Sequence, residues 1–337
     1  MKATVLGATG YTGMLLLRIL ARHPEVREVI ATSRRYAGKR LTEVDPGLSP
    51  LTLEDGRINP EVRSLSEATA DPGDLVFSAL PHGASAEACE PLLGRTVIID
   101  LSADFRFTDP LLFETAYGTP PPVEHAQSRA VYGLCELNRE KLRSADLIAN
   151  PGCYPTATIL PLLPFLPLLE GDTPIVVNAM SGITGAGKKE QLNLLYAERT
   201  ENATAYNPGL RHRHAAEIAE QVHHHNLLFT PHLVPLKQGM LVTTAVTVKD
   251  PARSLEILTE YYREEPFVTL TGADPPETRH VRGTNEIRIG CHREGNQVIL
   301  MSAIDNLWKG AAGQAVQNMN IRFGFAETTG LLRDADL

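Results

Sequence analysis

Cysteine, histidine and arginine stand in this 337-residue chain in combinations suited to acyl transfer. Asn150-Pro151-Gly152-Cys153-Tyr154-Pro155-Thr156-Ala157 puts a thiol at a turn leading into an apolar run, with Pro155 early enough for a helix to tolerate it. At a helix N-terminus, unpaired N–H groups favour a thiolate, lowering its pKa below the free value of about 8.5, and supply donors for a developing oxyanion. Cys153 is the expected nucleophile, whereas Cys89, Cys135 and Cys291 read as structural thiols. A thiolate needs an acid/base partner. Arg211-His212-Arg213-His214 supplies two imidazoles beside guanidiniums suited to anions, ahead of a helix with Glu217 in its first turn. Both His212 and His214 are candidates.

A second constellation lies at the start of the chain. Gly7, Gly10 and Gly13 have G-x-x-G-x-x-G spacing, with Thr9, Tyr11 and Thr12 in the same turn, directly after a strand-like run and opening a helix. Missing side chains there let backbone approach a pyrophosphate at the helix N-terminus, so the segment predicts dinucleotide binding. At the end of the next strand the chain reads Thr32-Ser33-Arg34-Arg35, where NAD-binding proteins usually carry an acid. A hydroxyl and a guanidinium favour a 2′-phosphate, with Lys39 and Arg40 as helpers, and predict NADP.

Two further motifs imitate sites. Gly182 to Lys188 has the glycines of a P-loop, but Lys189 stands where magnesium binding needs Ser or Thr. These glycines can instead line an active-site floor, with Lys188 or Lys189 facing a substrate anion. His223-His224-His225 lacks the spacing and helper carboxylate of catalytic zinc motifs and reads as a solvated helix end, so no metal is expected.

The elements needed to hold these residues follow from periodicity. Strands are expected at Lys2 to Leu6, Val26 to Thr32, Leu75 to Leu80 and Val97 to Leu101, with a helix at Met14 to Ala21. Such alternation implies a parallel sheet with right-handed crossovers. Beyond Asn150 the expected strands are Pro174 to Met180, Leu233 to Pro235, Leu241 to Lys249 and Val298 to Ile304, interspersed with helices at Ala215 to Val222 and Ala252 to Tyr262. The expected fold class is α/β: a Rossmann-type parallel-sheet domain over 1–149, completed by a C-terminal helix over 311–337, plus an α+β catalytic and dimerisation domain over 150–310.

Composition narrows the partners. Hydrophobic residues make up 43% and charged residues 21%, as in soluble globular proteins. The net charge of −8 repels a phosphodiester backbone, and the densest basic stretch, Arg34 to Arg40, suits one small phosphate. The most apolar run, Thr158 to Leu169, is broken by Pro161, Pro164 and Pro167 and is too short for a membrane helix. No secretory pattern follows Met1, and the four cysteines show no C-x-x-C pair, so a cytoplasmic setting with free thiols is expected.

Taken in order, Gly7-Ala-Thr-Gly-Tyr-Thr-Gly13, Thr32-Ser-Arg34, Leu101-Ser-Ala-Asp-Phe-Arg106, Val131-Tyr-Gly133, Asn150-Pro-Gly-Cys-Tyr-Pro-Thr156, His212-Arg-His214 and Ile304-Asp-Asn-Leu-Trp-Lys-Gly310 resemble the N-acetyl-γ-glutamyl-phosphate reductase family of arginine biosynthesis. The resemblance implies NADPH-dependent reduction of an acyl phosphate through a cysteine thioester. It carries the nucleophile to Cys153 and the acid/base to His212 or His214. It points to Arg106 as a substrate contact, and charge adds Lys188 and Arg211. Asn306 is expected beside the nicotinamide, and Leu80, Pro81 and Gly83 around the ribose. It also implies a homo-oligomer, a tetramer, acting on a small molecule.

Two departures are visible: Arg211 stands where relatives commonly have glycine, and Pro161 is expected to kink the Cys153 helix or end it early. The sister family of lysine biosynthesis, which acts on a carrier-bound aminoadipyl phosphate, reads Ala-Gly-Cys-Asn, so Pro151-Gly-Cys-Tyr154 favours the arginine pathway. A non-catalytic NADP-binding sensor would not need Cys153 with nearby imidazoles.

Overall fold

A computed structural model describes residues 1–48, 58, 59, 61–188 and 190–331. The chain forms two compact units. One comprises residues 1–110, 120–151 and 311–331, the other 111–119 and 152–310.

In the first unit, β1 (Lys2–Leu6), β2 (Glu28–Ala31), β3 (Leu75–Ser78), β4 (Val97–Asp100), β5 (Val131–Tyr132) and β6 (Leu147–Ala149) make a sheet of order β2-β1-β3-β4-β6-β5. Every pairing among them is parallel. β3 and β4 are buried throughout, as strands covered on both faces must be. The chain leaves β1 for β2 on one side and returns to β3 on the other, so a crevice opens beyond the C-terminal ends of β1 and β3. Helix α1 (Tyr11–Arg22) follows β1 directly and buries Leu16, Leu17, Ile19 and Leu20. The helix expected over 311–337 is shorter. A π turn, Trp308–Ala312, leads into an α-helix, Gly313–Arg322, after which Gly324 adopts φ +73°. Residues 332–337 of that expectation lie outside the described residues.

The second unit holds a mixed sheet. Its strands are β7 (Ile175–Ser181), β8 (Thr204–Ala205), β9 (Leu227–Leu233), β10 (Met240–Thr247), β11 (Val268–Gly272), β12 (Ile287–Glu294) and β13 (Gln297–Ile304), ordered β11-β12-β13-β10-β7-β9-β8. β9 lies earlier than the strand expected at Leu233 to Pro235. Pro231, inside the strand, hides it from a reading in which proline ends strands. Strict alternation in β10 turns Met240, Val242, Thr244 and Val246 inward. Helix α2 (Cys153–Leu162) packs on β10 and β13, and helix α3 (Arg213–Val222) packs on α2.

Pro161 does not break α2, which ends one residue later and passes into a 3-10 run, Leu163–Leu168. A proline removes the hydrogen bond to the carbonyl four residues earlier. For Pro161 that carbonyl is Ala157, which accepts from Ser302 Oγ at 2.6 Å instead. For Pro164 it is Leu160, which accepts from the Tyr262 hydroxyl. Two hydroxyls thus replace two missing N–H donors.

Candidate active site

In the second unit, Cys153 is the first residue of α2, half-buried and in no disulfide, and no side chain caps the helix start at Gly152. Three features build its surroundings. A Cβ placed on Gly310 would lie 2.8 Å from Cys153 Cβ, so only glycine lets that strand of chain cross the thiol. Glu217, fully buried on α3, accepts from Gly152 N–H through Oε1 at 2.9 Å and so ties α3 to the start of α2. Tyr154, next in sequence, carries the imidazoles: its ring centroid is 5.5 Å from that of His212 and 5.9 Å from that of His214, both edge-on.

His212 is also packed against Tyr206 and Phe229 at 5.5 and 5.3 Å. Burial, reinforced by Arg213, pushes its pKa down to about 4. It caps α3: its Nδ1 accepts from His214 N–H at 3.2 Å. The neutral ring therefore carries its proton on Nε2, a donor and not a base at neutral pH. Burial pushes the Tyr206 hydroxyl up to about 12, offset in part by its hydrogen bond with Tyr154, with Cys153 a further cause. Tyr154 is raised by burial more strongly, so both phenols stay protonated.

The other cysteines differ. Cys89 is raised by burial, and Cys291 is pushed up to about 11 for the same reason. Cys135 donates to Asn318 Oδ1 and accepts from Gln314 Nε2, both at 3.1 Å, inside the first unit.

The glycine turn of the first unit has the geometry a pyrophosphate needs. Gly7 has φ +73° and sits so close to the end of β3 that a Cβ would lie 2.7 Å from Ala79 O. Gly13 lets α1 settle on the turn, where a Cβ would meet Gly7 O at 2.4 Å. At Gly10 a Cβ would meet only Gly7 O, at 3.7 Å, so the space before the N-terminus of α1 is open. Thr9 Oγ1 lies 3.2 Å from Ser33 Oγ, and Arg34 and Lys39 are exposed beyond it. These residues fit the pyrophosphate and ribose of a dinucleotide.

Several expected contacts have other occupations. Asn306, expected beside the nicotinamide, is 3% exposed; its Oδ1 accepts from Gly239 N–H and its Nδ2 donates to Thr184 Oγ1, which fastens two loops of the second unit. Arg106 is 7% exposed and donates from Nε to Asn150 O and from Nη2 to Leu101 O, so much of its guanidinium braces backbone. Lys188 and Arg211 are exposed, and Lys189 lies outside the described residues. The segment after Gly182 forms a 3-10 turn, Ile183–Ala186, not the helix of a P-loop. His223 ends α3 in the left-handed region at φ 52°, and among the described residues no cluster of His, Cys, Asp or Glu can hold a metal ion. No helix of the described residues is long and apolar enough to cross a membrane.

Glu217 and Gly310 were not singled out from sequence as site residues. Their roles depend on partners 65 and 157 positions away (310 − 153), and Glu217, expected in the first turn of its helix, lies past that turn because α3 begins at Arg213.

Comparison with known proteins agrees with this geometry. The semialdehyde dehydrogenase NAD binding domain matches residues 2–145, and the semialdehyde dehydrogenase dimerisation domain matches residues 153–306. Aspartate semialdehyde dehydrogenase II from Vibrio cholerae shares the fold at a TM-score of 0.73 and 19% identity, covering 96% of this chain and 98% of that one. A Rossmann-like parallel sheet joined to a mixed-sheet unit is thus the architecture of the semialdehyde dehydrogenase class, as the sequence led one to expect. N-acetyl-γ-glutamyl-phosphate reductases resemble the chain more closely in sequence. That of Desulforudis audaxviator is 45% identical, covering 98% of each chain, and that of Nitrosococcus oceani is 43% identical, covering 99% of this chain and 98% of its own. The chain belongs to the N-acetyl-γ-glutamyl-phosphate reductase family.

Proposed function

We propose that the protein reduces N-acetyl-γ-glutamyl phosphate to N-acetylglutamate semialdehyde with NADPH, releasing phosphate, as a step of arginine biosynthesis. The observation that carries this reading is Cys153 at the uncapped start of α2, beneath Gly310. The Cys153 thiolate attacks the acyl carbon; the C–S bond forms, the C–O bond to phosphate breaks, and inorganic phosphate leaves. N–H groups at the start of α2 stabilise the oxyanion of each tetrahedral stage. When bound, NADPH would supply the hydride that reduces the thioester. His212, neutral with its proton on Nε2, or His214 donates a hydrogen bond to the resulting oxyanion; its collapse re-forms the C=O bond, breaks the C–S bond, and releases the aldehyde and the thiolate.

Arg34, Ser33 and Lys39 support NADP over NAD, since a guanidinium pairs with a 2′-phosphate where an acid would repel it. Gly7, Thr9, Gly10, Tyr11, Thr12 and Gly13 hold the pyrophosphate in this reading, and Leu80, Pro81 and Gly83 the ribose. Lys188, Arg211 and Arg106 are the cations for the substrate's anionic groups. A homotetramer is part of the same proposal. Supporting it are Met180 and Leu228, exposed on one face of the second sheet, and Leu192 and Tyr196, exposed on the short helical turns that follow β7. A cytoplasmic setting follows from the need for a reduced thiol.

The test is NADPH oxidation by purified protein on N-acetyl-γ-glutamyl phosphate, with phosphate-dependent aldehyde oxidation as the reverse. Turnover of the acyl phosphate is expected. Turnover confined to a carrier-bound aminoadipyl phosphate, or none at all, would overturn the assignment.

A further inference from the structure

Of the Leu101–Arg106 segment, the mechanism uses only Arg106, yet its other polar side chains, Ser102 and Asp104, are also buried. Asp104 is 1% exposed. Both its carboxylate oxygens accept from Gly83 N–H, at 2.8 Å each, and Oδ2 also accepts from Ala86 N–H at 2.8 Å. Gly83 cannot cap the short helix Ala84–Cys89 itself, and nothing lies within 4 Å of where its Cβ would stand, so it gives its loop no steric brace. With φ +81°, it holds a conformation that favours glycine.

Asp104 is itself anchored. Its N–H donates to Ser102 Oγ at 3.1 Å, and Ser102 Oγ donates to Asp100 Oδ2 at 2.6 Å. Asp100, at the end of β4, accepts from Ser85 Oγ at 2.5 Å, which lies 2.6 Å from Ser78 Oγ at the end of β3. From the same segment Arg106 reaches Asn150 O, just after β6, at 2.8 Å. One loop therefore links the C-terminal ends of three neighbouring parallel strands, the edge where such sheets bind ligands.

We propose that Asp104 is a positioning residue for the cofactor: by holding Gly83 and Ala86 it fixes the Leu80–Gly83 loop in the conformation that receives the dinucleotide. This rests on the reading that this loop contacts the cofactor. Charge-assisted hydrogen bonds to a buried carboxylate are strong enough to pre-order a loop that binding would otherwise have to order.

The experiment measures NADPH dissociation constants by fluorescence titration, steady-state kinetics and unliganded melting temperatures for Asp104→Ala, Asp104→Asn and Ser102→Ala, with Gly10→Ala and Arg34→Glu alongside. Asp104→Ala is expected to weaken NADPH about tenfold or more while kcat at saturating NADPH and KM for the acyl phosphate change by less than about threefold. Asp104→Asn, whose amide oxygen still accepts from one N–H, falls between it and the parent. If Asp104→Ala does not fold, Asp104→Asn and Ser102→Ala carry the same test. A lowered melting temperature with NADPH affinity unchanged would overturn the proposal, leaving Asp104 as a cap that serves only the fold. If Gly10→Ala and Arg34→Glu weaken NADPH and the Asp104 variants do not, this proposal alone fails. If none of them changes NADPH binding, the cofactor reading fails with it.

Discussion

Gly10 before α1 and Gly152 before α2 both begin a helix without a side-chain cap, and the two helix starts are finished in opposite ways. Around Gly10 there is open space. Around Gly152 the protein has filled the space itself: Glu217 takes the Gly152 N–H, Gly310 presses on Cys153, and Tyr154 is surrounded by rings. Both ends offer N–H groups to an anion. The open one suits a phosphate that arrives and leaves with a cofactor. The crowded one suits an anion that belongs to the protein and must be held to within a fraction of an ångström.

Substitutions that exchange these designs should have unequal consequences. Gly310→Ala pushes a methyl against Cys153 and is expected to cut kcat by about a hundredfold, since displacing a reacting atom by 1 Å costs about that much. Gly10→Ala puts the same methyl into open space, so the fold stays intact and the loss, about tenfold, falls on cofactor affinity. Kinetics resolved into kcat and cofactor KM separate the two, and equal effects on both parameters would remove the distinction. Arg34→Glu should weaken NADPH about tenfold while changing NADH little, read from the two KM values.

Smaller effects test the support beneath Cys153. Ser302→Ala leaves the Ala157 carbonyl without its hydroxyl donor and should cost about 1–3 kcal/mol by denaturant unfolding. The smallest effect concerns His212. Because burial depresses its pKa to about 4, it contributes stability that is complete above its ordinary value of 6.5 and is lost as pH falls from there through 4. Melting temperatures between pH 7 and pH 5 should therefore fall less steeply in His212→Asn than in the parent.

The sequence made the open terminus legible and the crowded one only in part. Glycine spacing, an adjacent strand and a following helix are local signals, and α1 begins within three residues of where they put it. Cys153 was readable because Pro155 and the apolar run mark a helix start. The residues that finish its setting act at long range: Gly310 matters because of a thiol far back in the chain, and Ser302 because of one proline, Pro161, on another element. Short strands escaped for a related reason. β5 and β6 have two and three residues, too few to show a period, and are fixed by their parallel neighbours.

The central claim is that Cys153 forms a covalent acyl intermediate. Rapid quenching of the protein with N-acetyl-γ-glutamyl phosphate in the absence of NADPH, followed by peptide mass spectrometry, tests it most directly. An N-acetylglutamyl adduct on the peptide containing Cys153, absent from Cys153→Ser, is the expected result. An adduct on another residue, or reduction proceeding in Cys153→Ser, would contradict it.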